Sequence, residues 1–132
     1  MAVVSLEPWQ ELLDRHRELF DHLGSQARLG IAGLEDDTMI VCHSIDGGGW
    51  RASAQRFPGV GQAAVDLLVV LDQRVARKMV DGGYDDLLPV LRREIRLGRA
   101  ICFCRSSHET LIARGFSEVM KELGMAEMAR SH

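Results

Sequence analysis

The fold turns on Ala63 to Gly83, AAVDLLVVLDQRVARKMVDGG. Drawn as one helix, this stretch carries an apolar stripe through Ala64, Leu68, Leu71, Val75 and Met79. Drawn as a strand and then a helix, Leu67 to Leu71 is an apolar run closed by Asp66 and Asp72, with adjacent β-branched valines at 69 and 70. Branching at Cβ suits a pleated surface. Asp72 is a good N-cap for a helix over Gln73 to Val80, because its carboxylate can accept the free N–H groups of a first turn. The strand-then-helix reading is adopted.

Upstream of that run, Ala27 to Phe57 reads ARLGIAGLEDDTMIVCHSIDGGGWRASAQRF. Two apolar stretches flank the turn-forming Glu35-Asp36-Asp37, and a third begins after Gly47-Gly48-Gly49, which predicts a three-stranded antiparallel meander. In its middle strand Met39, Val41 and His43 share one face and Ile40, Cys42 and Ser44 the other, and one face is expected to be drier. Phe57-Pro58-Gly59-Val60-Gly61 then changes direction without any period. Further upstream, Trp9, Leu12, Leu13, His16, Phe20 and Leu23 recur at helical steps between Pro8 and Leu23. This is an amphipathic helix, with Pro8 in the first turn and Gly24 at the end.

Downstream, Tyr84-Asp85-Asp86 opens a short helix over Asp86 to Arg93, whose Pro89 fits only the first turn. A strand is expected from Glu94 to Cys104. Ser106-Ser107-His108-Glu109 offers a capping box for a last helix with one apolar stripe, Ile112, Phe116, Val119, Met120 and Leu123. Gly115 lies inside that helix at a cost of about 1 kcal/mol relative to Ala, which close approach of another backbone would offset. Met125 to His132 reads as a frayed end. The order predicts an α+β domain: a single five-stranded, mostly antiparallel sheet covered by N-terminal, central and C-terminal helices.

Length and composition agree with one domain over residues 1–132. Hydrophobic residues make up 46% of the chain and aromatics only 5%, with six Met, so the expected core is aliphatic and deformable. A formal charge of -3 gives no reason to attract a polyanion, and a nucleic-acid partner is not expected. Leu67 to Leu71 is the longest apolar run, far short of a membrane span. The start, MAVVSLEPWQELL, has no basic segment and is not read as a signal peptide. Cys42, Cys102 and Cys104 are an odd number of thiols, which argues against a disulfide framework and for the cytoplasm.

Few residues suggest chemistry. Cys42-His43 with Cys102 and Cys104 has the ligand types of a zinc site. On strands, however, Cys102 and Cys104 point the same way, while the neighbours Cys42 and His43 point apart. The expected reading is three buried, inert thiols, with no metal or other cofactor. Cys104, close to a helix start and beside Arg105, is the candidate nucleophile if one of the three is reactive. Gly47-Gly48-Gly49 and Pro58-Gly59-Val60-Gly61 lack the lysine and spacing of a phosphate loop and read as connections. Arg92, Arg93, Arg96, Arg99 and Arg105 do not share one face; solvation is the first reading, with an anionic lipid or acidic partner surface as the alternative. The sequence has no strained Ser-His-Asp elbow, paired metal carboxylates or dinucleotide fingerprint, so an enzyme is not expected.

Val65 to Arg99, VDLLVVLDQRVARKMVDGGYDDLLPVLRREIRLGR, resembles the second half of sterol carrier protein type two domains. Those domains run an Asp-led apolar strand, a helix ending at Gly, a second short helix, and a strand of alternating apolar and basic residues ending near Gly. The matching pieces are Asp66 to Leu71, Val75 to Gly82, Asp86 to Leu91, and Ile95-Arg96-Leu97-Gly98. The stretch after Gly98, AICFCRSSHETLIARG, is longer than the family's step into its last helix. The resemblance implies a five-stranded α+β fold with an apolar tunnel between sheet and helices for fatty acyl or sterol-like ligands. Ile112, Phe116, Met120 and Leu123 are the expected lining, by their place on the last helix. The alternative is a protein-interaction or regulatory module, a homodimer through an exposed sheet edge or a surface containing Trp50; a second alternative is a thiol or metal protein built on Cys42, Cys102 and Cys104.

Overall fold

A computed structural model of the protein describes residues 6–34, 37–45, 48–81 and 84–125. The deciding run is a strand: β4 (Leu67–Leu71) is followed directly by the helix α3 (Gln73–Asp81). Asp72 caps it, its Oδ1 accepting the Arg74 N–H at 2.8 Å. The meander is also present, as β1 (Arg28–Gly33), β2 (Thr38–Ser44) and β3 (Trp50–Arg56). With β5 (Ala100–Cys104) these strands form one sheet in the order β3-β2-β1-β4-β5. Three neighbouring pairs are antiparallel, and β1 with β4 is parallel, Ile31 lying beside Val69.

That order requires a crossover. The chain leaves β3 at one edge and must pass β2 and β1 before it enters β4. It does so as a strap, residues 57–66, containing one 3-10 turn, Val60–Gln62. The helices pack on one face of the sheet, where Leu29, Ile31, Ile40, Cys42, Leu67 and Val69 join Trp9, Phe20 and Phe116 in the main core. The strap packs on the other, where Ala63 and Val65 meet Ala32, Met39, Val41, Leu68 and Val70 in a second cluster.

Both faces of the middle strand are therefore dry. Met39, Ile40, Val41 and Cys42 each keep 3% or less of their surface, which corrects the expectation of one wetter face. A sheet whose second face is covered by a crossover has no solvent side at its centre, and β4 reads as continuous apolar residues for the same reason.

The ends of the helices differ from the sequence reading in three places. The N-terminal helix is two pieces, α1 (Leu6–Arg15) and α2 (Arg17–Phe20), broken at His16, whose Nε2 contacts both carboxylate oxygens of Asp86 at 2.8 and 2.9 Å. The helix α4 runs over Leu87–Arg96, so Glu94 to Arg96 are helical and the strand expected from Glu94 begins at Ala100. The cause is a Schellman end: Gly98, at φ +79°, donates to the Ile95 carbonyl and Arg99 to the Glu94 carbonyl. The family-like piece Ile95-Arg96-Leu97-Gly98 is thus a helix end and turn. Finally, the last helix is broken at Gly115 into α5 (His108–Ala113) and α6 (Ser117–Glu122). Ser107 is its cap, accepting from the Thr110 N–H at 3.2 Å, while the Ser106 hydroxyl is used elsewhere.

Candidate functional site

The last helix places three of its four expected lining residues together. Phe116, Met120 and Leu123 are buried in the main core at 0%, 5% and 2% exposure. Ile112 is 51% exposed and stands apart from them, because the chain turns at Gly115. Met125, the first residue of the expected frayed end, is buried and donates its N–H to the Met120 carbonyl; the rest of that end lies outside the described residues. Trp50 keeps only 9% of its surface and belongs to the core, so it offers no partner surface.

The second cluster is closed differently. The strap that covers it holds to the body through a few polar contacts, among them Phe57 N–H to the Asp37 carbonyl at 2.8 Å and Arg105 Nη2 to the Gly61 carbonyl at 2.8 Å. Phe57 and Val60 on the strap and Phe103 on β5 are only partly buried against the cluster. Beside Phe103 on the same face of β5, Ile101 is 53% exposed. This second layer thus has a partly exposed margin and an irregular cover.

One end of that layer carries a charged junction. Asp66, 3% exposed, accepts the Arg28 backbone N–H at 3.0 Å, the Ser106 hydroxyl at 2.6 Å, and an Arg114 guanidinium N–H. Its backbone carbonyl accepts from the N–H groups of Arg105 and Ser106. A buried carboxylate is tolerated only when paired and hydrogen-bonded, and Asp66 is both. It ties the starts of β1 and β4 to α5. The sequence reading saw Asp66 only as the bracket of a strand, because Ser106 and Arg114 lie 40 and 48 residues away.

The cysteines are spread across the sheet. Cys42 and Cys104 occupy one cross-strand row but are separated by Leu29 and Leu67. Burial pushes the Cys42 thiol up to about 12. Cys102 is also pushed up to about 12, by burial first and then by neighbouring Cys104. Cys104 is exposed, which differs from the expectation of three buried thiols, yet its thiol is also raised by desolvation. A raised thiol has less thiolate and is a poorer nucleophile or ligand. Among the described residues no group of three or more His, Cys, Asp or Glu stands close enough to hold a metal ion.

Among the expected arginines, Arg92 pairs with Glu122 and Arg93 and Arg99 both pair with Glu94. Among the described residues no helix is long and apolar enough to cross a membrane.

No family model matches the chain. No curated protein matches it either. Among solved structures, the chain is similar to a protein named UbiJ-SCP2 ubiquinone synthesis protein, at 14% identity and a TM-score of 0.44, over 96% of this chain and 92% of that one.

Proposed function

We propose that the protein is a non-enzymatic binding domain for a hydrophobic small molecule of fatty acyl or sterol-like type, acting in the cytoplasm. The observation that carries this reading is the second apolar cluster, roofed by a strap where the opposite face is roofed by helices. Lifting the strap would uncover Met39, Val41, Leu68, Val70 and Phe103, an aliphatic, Met-bearing and adaptable surface of the kind small apolar ligands occupy. Entry on the helix side would instead have to displace close-packed side chains such as Trp9, Phe20 and Phe116, each at 2% exposure or less. The helix, meander and helix-covered sheet that the sequence resemblance implies support the same reading. So does the absence of any recognisable reaction chemistry in the sequence.

The test is displacement of a fluorescent fatty acid from the full chain, with native mass spectrometry of freshly purified protein and amide shift mapping. Saturable displacement with perturbations around Val60, Leu68 and Phe103 is the expected result. Perturbations centred on Phe116, Met120 and Leu123 would move the site to the helix side. A chain that carries no guest and displaces no probe overturns the proposal.

A second reading, a homodimer, is favoured by the unequal edges of the sheet. On β3 two outward backbone groups are taken by Gln10 of α1: Ala52 N–H donates to its Oε1 at 2.8 Å, and its Nε2 donates to the Trp50 carbonyl at 3.1 Å. The opposite edge, Ala100-Ile101-Cys102-Phe103-Cys104, carries no charge, and an uncharged apolar edge strand invites pairing. Antiparallel pairing with a second copy, centred on Cys102, sets Ile101 against the partner's Phe103. Solution mass measured across concentration tests this, and Ile101→Lys should keep the chain monomeric.

A further inference from the structure

We infer that the cavity beside Asp66 is a subsite for the anionic headgroup of the ligand, so that the guest is a carboxylate- or phosphate-ended amphiphile. This rests on the hydrophobic-ligand reading above. The cavity, about 320 Å³, is lined by Gln26, Arg28, Ala64, Val65, Asp66 and Arg114.

Two features of the cavity point to this class. The first is charge. Asp66 is the sole acidic group of the lining, and its oxygens are already taken by Arg114, Ser106 and the Arg28 backbone N–H. The Arg28 guanidinium has no acidic partner among the described residues. Arg105 stands next to the junction but outside the lining, its backbone N–H on the Asp66 carbonyl and its guanidinium on the Gly61 carbonyl. His43, opposite Arg28 across the strand pair, has Nδ1 against the Ser44 carbonyl and Nε2 against the Ser53 hydroxyl. One carboxylate against the two guanidiniums of the lining, Arg28 and Arg114, leaves excess positive charge facing the cavity, and guanidinium is the group best matched to carboxylate or phosphate oxygens.

The second feature is continuity. Val65 lines the cavity and is also a buried member of the second cluster, and Ala64 beside it belongs to the strap. A guest with its chain beneath the strap would leave the apolar layer where Arg28 begins. The cavity alone would hold only a small anion; its position at the end of an apolar layer is what selects an amphiphile.

The experiment compares hexadecanoate with hexadecan-1-ol, which has the same chain and no charge, on the full protein and on Arg28→Gln. Wild type should bind hexadecanoate about tenfold more tightly than the alcohol, and R28Q should remove that preference while leaving alcohol binding within about twofold. Because Arg28 is exposed, R28Q should melt with the wild type. Raised salt should narrow the wild-type preference, since the site is open to screening. Equal binding of acid and alcohol, or a preference that survives in R28Q, overturns the headgroup subsite and leaves the hydrophobic-ligand reading standing. Failure of both compounds to bind overturns both. Acetate competing as strongly as hexadecanoate also overturns the inference, because the cavity would then be a free-anion site unconnected to the apolar layer.

Discussion

Glu94 has 1% of its side chain exposed, yet it is a carboxylate on a helix that otherwise buries leucine and valine. Burial alone would raise its pKa; hydrogen bonds and charge from Arg99, Oε2 to Nε at 2.5 Å, and from Arg93 outweigh this and hold it below the usual carboxylate range. A group depressed in the native state binds fewer protons there than when unfolded. Its stabilisation is present above the unfolded carboxyl pKa and is lost as pH falls through the folded one. Both arginines are about half exposed and partly screened, so Glu94→Gln should cost about 1–2 kcal/mol at neutral pH. That gap should close on acidification below about pH 4. Urea titrations of both proteins at neutral and acid pH measure it, and a gap independent of pH would assign Glu94 a packing role only. Gly115 makes a second residue-level case. It sits at φ +84°, and a Cβ there would lie 2.0 Å from the His22 carbonyl oxygen, a backbone atom that cannot turn away. Gly115→Ala combines left-handed strain with overpacking and should cost about 4 kcal/mol by chemical denaturation. A cost near that of an exposed helical site would mean that the α2–α5 junction relaxes freely.

At the scale of elements, the sheet is protected by one glutamine. Gln10 reaches from α1 and occupies the place of a sixth strand against Trp50 and Ala52. Gln10→Ala should leave two edge groups without partners, cost about 1–2 kcal/mol, and speed exchange of the Ala52 amide specifically. Unchanged exchange at Ala52 would show that water replaces the glutamine without loss. The strands and α3 were legible in the sequence because their signals are local: alternation in the meander, and Asp72 as a cap after an apolar run. Glu94-Ile95-Arg96-Leu97 misled because it alternates like a strand, while what decides its state is the Gly98 Schellman turn and the ion pair reaching to Arg99. Gly115 carried a readable signal, since glycine just after a helix is a common stop. The candidate site was less legible. Phe57 to Val65 has no period, and its burial arises only because the crossover passes over β2 and β1 on its way to β4. The Asp66 junction depends on partners 40 and 48 residues away, which no local pattern marks.

For the molecule as a whole, the question is whether two apolar layers that share a sheet behave as one cooperative unit. Leu67 and Leu68 are neighbours on β4, both fully buried, one facing the helices and the other the strap. Because β4 cannot leave the sheet without exposing both layers, Leu67→Ala and Leu68→Ala should each cost about 2–5 kcal/mol with one shared transition and an unchanged denaturant slope. Between its two ends, from Pro58 to Val65, the strap makes no backbone hydrogen bond to the sheet, and its Gln62 N–H bonds only within its own turn, to the Gly59 carbonyl at 3.2 Å. It should therefore open well below the global unfolding free energy, as weakly anchored segments do. Native-state hydrogen exchange under increasing denaturant separates the two: the Gln62 amide should exchange through a denaturant-insensitive local opening, while Ile31 and Val69 follow global unfolding. If Gln62 joined the global isotherm, the strap would be as fixed as the sheet beneath it. An apolar guest would then have no route to Leu68 and Val70 short of unfolding, so this exchange pattern tests the proposed entry route without any ligand.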